Sequence, residues 1–146
     1  MPIPNGIPLS VGQILMCEFG PDPRKIQPPG IMKGPLSVLP EMYKERHCIV
    51  INPSRGVTTI VPLSTVPPIV QANFHHCIQA GSYGSIDPND DSWVKGDMLT
   101  TVSNQRLDRP FVSGRRTTAI LNATDLRSVL EAVLHGLALG RLTPHL

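Results

Sequence analysis

Apolar residues along this chain fall into short runs broken by proline and glycine, and only near the C-terminus do they take up the three-and-four spacing of a helix. Gln13 to Phe19 (QILMCEF) is almost continuously apolar, the pattern of a strand buried on both faces, and Gly20 with Pro21 ends it. His47 to Asn52 and Val57 to Leu63 are two further runs rich in β-branched residues. The turn cluster Pro53 to Gly56 separates them, which predicts a β-hairpin. Val66 to Val70 contains Pro67 and Pro68 and must be an edge or a bend. Asn73 to Ala80 reads as a fourth strand, with Phe74, His76 and Ile78 on one face and His75 and Cys77 on the other. Trp93 to Val102 reads as a fifth, in which Gly96 marks a bulge or the close approach of another backbone, and Phe111 to Ser113 is a short sixth.

Leu126, Val129, Leu130, Val133, Leu134 and Leu137 form one apolar stripe, so this segment is a helix packed on the sheet. Asn122 is placed to cap its start, Asp125 lies in its first turn, and Gly140 is placed to stop it. Two stretches carry no periodicity. Residues 1–9 are a proline-rich arm expected to be loose, and residues 20–42, with six prolines plus Arg24, Lys25 and Lys33, are a long basic loop. Many short strands and one terminal helix give a mainly β (α+β) fold, a small barrel with a C-terminal α-helix.

Composition narrows this picture. A chain of 146 residues with 40% apolar content makes one domain with one ordinary core, and 16 prolines with 12 glycines point away from a helical bundle. A net charge of +2 permits an anionic partner without demanding one. Three cysteines, Cys17, Cys48 and Cys77, are an odd number without CxxC spacing. They argue against a disulfide framework or a zinc knuckle and for a reducing cytoplasm. No segment has the charged-then-apolar pattern of a secretory signal, and no apolar run approaches the roughly 20 residues that span a bilayer. A soluble cytoplasmic protein without membrane contact is expected.

Three constellations carry candidate chemistry. His75, His76 and Cys77 with His47 and Cys48 suggest a metal, but neighbours on a strand point to opposite faces and cannot share one ion, so no metal and no cofactor are expected. Ser64 with a histidine suggests a nucleophile, but there is no G-x-S-x-G elbow and no third member. The third lies at the margins of the hairpin, where Lys44 and Arg46 precede the first strand and Ser64 and Thr65 follow the second. The start of one antiparallel strand lies beside the end of the next, so these groups should meet. With Asp97 they suit a phosphodiester site. RNA cleavage without metal requires only that the substrate's 2′-hydroxyl be oriented and deprotonated, the phosphorane charge stabilised and the leaving oxygen protonated. A guanidinium fork and a neighbouring hydroxyl supply the stabilising bonds.

The same residues carry a resemblance. Pro40, Glu41, Met42, Lys44 and Arg46, then Ile49 to Pro53, Val61 to Thr65, Trp93, Asp97, Met98, Thr101 to Ser103 and Arg106 to Asp108 follow, in order, the pattern of the PemK/MazF toxins of bacterial toxin–antitoxin systems, which this chain resembles. The likeness runs from about Gly12 to Leu139. It implies an SH3-like barrel that dimerises through its sheet, metal-independent cleavage of single-stranded RNA, and inhibition by a cognate antitoxin. It places the active arginine at Arg46 and the active hydroxyl at Ser64, with Thr65 behind. Where the family pattern has proline and often cysteine, this chain has His47, which should point away from the site, and Gly96. Arginine keeps its proton and is a poor general base, so Arg46 is assigned a stabilising or acid role. His75 or His76 is the candidate base, and Lys44, Asp97, His75 and His76 are expected to contact substrate. The alternative is a non-catalytic toxin on the same barrel, such as an inhibitor that docks on a topoisomerase, as a structurally related toxin family does.

Overall fold

The computed structural model describes residues 8–25 and 42–146. Most of the expected N-terminal arm and of the basic loop, with Lys33, Pro40 and Glu41, lies outside the described residues.

Strands β1 (Gln13–Glu18), β2 (Glu45–Pro53) and β3 (Val57–Ser64) form an antiparallel meander. The hairpin between β2 and β3 turns through Gly56, whose φ of 80° lies in the left-handed region that glycine enters freely. Asn104 clamps that turn: its side chain donates to the Ser54 carbonyl at 3.1 Å and accepts from the Thr58 hydroxyl at 2.7 Å. Shorter strands flank the meander: β4 (His75–Ile78), β5 (Ser92–Lys95), β6 (Thr100–Ser103), β7 (Leu107–Asp108) and β10 (Ala119–Ile120). β8 (Phe111–Val112) and β9 (Arg115–Arg116) pair separately with each other.

The order β10-β1-β2-β3-β5-β4 is extended by β6 on β3 and β7 on β1. β6 and β7 belong to one stretch, residues 100–108, joined by a single 3-10 turn at Asn104–Arg106. That stretch pairs with Val57–Ile60 at one end and Met16–Cys17 at the other, so it bridges both edges of the meander and curls the sheet. Inside the curl lies one core, Leu15, Cys17, Cys48, Val50, Ile60 and Leu107. Across the sheet lies a second, in which Ile14, Ile49, Val61, Leu63, Ile78 and Val94 meet Val129, Ala132 and Val133 of helix α1 (Ala123–Gly136). The central residues of β1–β3 are therefore buried on both faces, the physical reason that Ile14 to Cys17, Cys48 to Ile51 and Ile60 to Leu63 run without polar alternation.

The expected fifth strand is two. Trp93–Val102 breaks at a 3-10 turn, Gly96–Met98, because α1 packs backbone to backbone there. A Cβ on Gly96 would fall on the Ala132 carbonyl oxygen and lie 2.7 Å from the Phe74 oxygen. The helix starts as its sequence indicates, with the Asn122 side chain accepting from the Asp125 N–H at 2.8 Å, but it stops early. Ala138, not Gly140, takes the left-handed conformation (φ 60°), and Leu139 N–H closes on the Leu134 carbonyl at 2.7 Å. Gly140 is needed elsewhere: a Cβ there would collide with the His135 ring.

Candidate active site

The β2–β3 ladder ends at Cys48 and Pro62. Beyond it β2 continues beside β1, with Arg46 opposite Cys17, while β3 continues beside β5, with Ser64 opposite Trp93. The strands thus part in a fork. The ladder register carried two residues further sets Arg46 and Ser64 across the fork on one face, the face that also carries the curl's core.

Each prong is held locally. Arg46 is half-buried, and its Nε donates to the Tyr43 carbonyl at 3.0 Å. Ser64 keeps 9% of its surface exposed, and its Oγ accepts from the Val66 N–H at 3.2 Å, which leaves the hydroxyl hydrogen free to be donated. Thr65 lies beyond the strand and is exposed. Lys44 is exposed, with a left-handed backbone (φ 65°) pinned by Lys44 N–H to the Gly20 carbonyl at 2.6 Å and Phe19 N–H to the Lys44 carbonyl at 3.0 Å.

The two histidines separate. His75 pairs with Lys95 and His76 with Val94, so alternation puts His75 on the Arg46–Ser64 face and His76 on the helix face. There the His76 Nε2 lies 3.3 Å from the Asp125 carboxylate, which also accepts the Tyr83 hydroxyl at 2.6 Å. His76 is thereby tied into the support of the helix start, away from the fork.

His75 Nδ1 accepts from the Ala72 N–H at 3.0 Å, so the neutral ring carries its hydrogen on Nε2 and presents a donor. Desolvation, then the nearby Lys95 ammonium, lowers its pKa from the ordinary histidine value, and Asp97 opposes them. Asp97 itself is exposed in the turn that follows β5. His47 points to the opposite face from Arg46, where burial lowers its pKa against a hydrogen bond with the Ser85 backbone. Among the described residues, no group of three His, Cys, Asp or Glu side chains is placed to hold a metal ion.

Sequence reasoning missed Tyr43. Its ring is surrounded by three cations: Arg24, Lys44 and Arg46 lie 5.3, 5.5 and 5.2 Å from the ring centre. The signal available was an aromatic residue inside a basic cluster, Tyr43-Lys44-Glu45-Arg46. Arg24, a connection away in sequence, is brought there only by the fold.

Compared with known proteins, the chain matches the PemK-like, MazF-like toxins of type II toxin–antitoxin systems over residues 10–137. No curated protein matches it. Among solved structures it is similar to an endoribonuclease in complex with its cognate antitoxin from Mycobacterial species, at a TM-score of 0.56 and 13% identity, covering 91% of this chain and 97% of that one. It is also similar to the Mycobacterium tuberculosis toxin MazF-mt6, at a TM-score of 0.51 and 16% identity, covering 68% and 92%. At these identities the likeness to both structures is one of fold, a mostly antiparallel sheet with one C-terminal helix.

Proposed function

Because the chain belongs to the PemK-like, MazF-like toxins of type II toxin–antitoxin systems, we propose that it is an endoribonuclease that cleaves single-stranded RNA without metal, through the substrate's own 2′-hydroxyl. The observation that carries this reading is the fork, where a guanidinium and a hydroxyl share one face at the parting of β2 and β3. In the proposed reaction the 2′-oxygen attacks phosphorus, its proton passes to water, the bond from phosphorus to the 5′-oxygen breaks, and that oxygen gains a proton. The products are a 2′,3′-cyclic phosphate and a 5′-hydroxyl. Arg46 stabilises the phosphorane and protonates or hydrogen-bonds the leaving oxygen, and Ser64 donates to a non-bridging oxygen, with Thr65 beside it.

His75 contributes an Nε2–H donor on the same face rather than the base, since its Nδ1 lone pair is engaged by Ala72. Lys44 and Asp97 flank the substrate path. The protein works in the cytoplasm as a homodimer and is silenced by a cognate antitoxin. The antitoxin reading is supported by the structural relative that carries one.

Incubation with mixed-sequence RNA in excess chelator tests this. Cleavage should yield cyclic phosphate ends, spare 2′-O-methyl RNA, and fall by roughly 100-fold or more in Arg46→Ala. Unimpaired cleavage by that variant, or cleavage of 2′-O-methyl RNA, overturns the mechanism. Intact RNA beside arrested growth points instead to a toxin that acts by binding.

A further inference from the structure

The three-cation arrangement around Tyr43 has an order to it. Asp22, whose side chain is 3% exposed, receives Arg24 through Nε at 3.0 Å and Nη2 at 2.9 Å, so both oxygens of a buried carboxylate fix one guanidinium plane. The Arg24 backbone N–H adds a third bond to Asp22 at 3.0 Å, and the Arg24 side chain holds the Asp22 carboxyl down to about 2. Arg24 Nη2 then donates to the Tyr43 hydroxyl at 2.6 Å. Tyr43 in turn touches Arg46 twice, through its carbonyl on Nε at 3.0 Å and through its ring 5.2 Å from the guanidinium carbon. A bond to Nε fixes the guanidinium plane, and a ring face fixes on which side that plane lies.

We infer that Tyr43 is a positioning residue for Arg46, anchored from the far end by the Asp22–Arg24 pair, so that the guanidinium is aimed into the fork before substrate arrives. The inference rests on the reading of Arg46 as the phosphate-stabilising group. An unsupported arginine has several rotatable bonds and spreads its charge over many positions, whereas reaction at phosphorus needs the donors within about an ångström of the right place. The alternative role, a base stacked on the ring, competes with three cations for the same aromatic faces.

Tyr43→Leu and Tyr43→Phe, each in the full chain, test this by single-turnover RNA cleavage in chelator and by the NMR signal of the Arg46 Nε–H, assigned by its loss in Arg46→Ala. Tyr43→Leu should lower kcat by roughly 10- to 100-fold with KM within about twofold of wild type. It should also move the Arg46 Nε–H resonance, because the ring current and the local geometry both change. Tyr43→Phe keeps the ring but loses the bond from Arg24, so its kcat should fall between those of Tyr43→Leu and wild type, and a kcat equal to wild type would remove the Asp22–Arg24 anchor from the inference. An unchanged kcat in Tyr43→Leu overturns the inference, and so does a loss seen in KM alone, which is the signature of base stacking. A fall in kcat with the Arg46 resonance unmoved overturns it as well. If the wild type cleaves no RNA, the proposed function fails separately, and the resonance alone decides whether Tyr43 holds Arg46.

Discussion

Replacing Gly96 by alanine should unseat the C-terminal helix. The backbone at Gly96 is not in the left-handed region, so alanine by itself would be neutral there or slightly stabilising. Its Cβ, however, would lie 2.6 Å from the Ala132 carbonyl carbon and 2.7 Å from the Phe74 oxygen, both backbone atoms that no rotamer change can move. Clearing the Ala132 carbonyl requires α1 to withdraw by more than about 0.8 Å, which loosens Val129, Ala132 and Val133 in the core together, and the Phe74 backbone, which is not part of α1, must give way as well. Overpacking of this kind costs about 1–3 kcal/mol, and the rigidity of the obstruction puts the expectation near 3. For a chain of this size that is a fall in Tm of roughly 6–12 °C. Gly136→Ala meets the same interface from the helix side, where its Cβ would lie 2.7 Å from the Asp97 nitrogen, so the double variant should lose less than the sum. A Cβ on Gly84 would have nothing within 4 Å, so Gly84→Ala is the control, expected within about 0.5 kcal/mol of wild type. Urea and thermal unfolding of the four variants measure this. A Gly96→Ala protein as stable as the Gly84 control would refute backbone contact as the reason for glycine at this position.

Two further outcomes follow from the same structure. Ala138 holds a left-handed conformation that closes the helix end, so Ala138→Gly should stabilise the protein by about 0.5–1 kcal/mol in urea unfolding, and a destabilised variant would show that the cap is misread. Burial lowers the pKa of His47, so the unfolded chain takes up this proton more readily than the folded one. The associated stability is full above the unfolded value of about 6.5 and is lost as pH falls through the lower folded value. His75 acts in the same direction, so His47→Gln should flatten, without abolishing, the fall of the urea midpoint between about pH 6.5 and 5, and an unchanged slope would exclude His47 from it.

Much of this molecule was determined by local sequence. Continuous apolar runs with turn clusters between them fixed β1 and the β2–β3 hairpin, since a strand buried on both faces has no room for polar alternation. The asparagine and the apolar stripe placed the start and buried face of α1, because capping and helical periodicity act within a few residues. Antiparallel geometry sets strand start beside strand end, which made a common face for Arg46 and Ser64 legible, but the parting of β2 and β3 beyond Cys48 and Pro62 was not, and it sets the two on separate prongs. What the tertiary structure decided is what depends on contacts distant in sequence. It broke Trp93–Val102 at Gly96, because the backbone of a helix far along the chain needs that space. The split of His75 from His76 was already legible in strand alternation, but only the fold gave His76 to Asp125, a carboxylate that alternation cannot foresee. The fold put the helix stop at Ala138 and left Gly140 to make room for the His135 ring, two facts that no local rule foretells. And it set Arg24 on Tyr43 behind Arg46, since only folding brings together two residues on either side of a long connection, where no local rule links them.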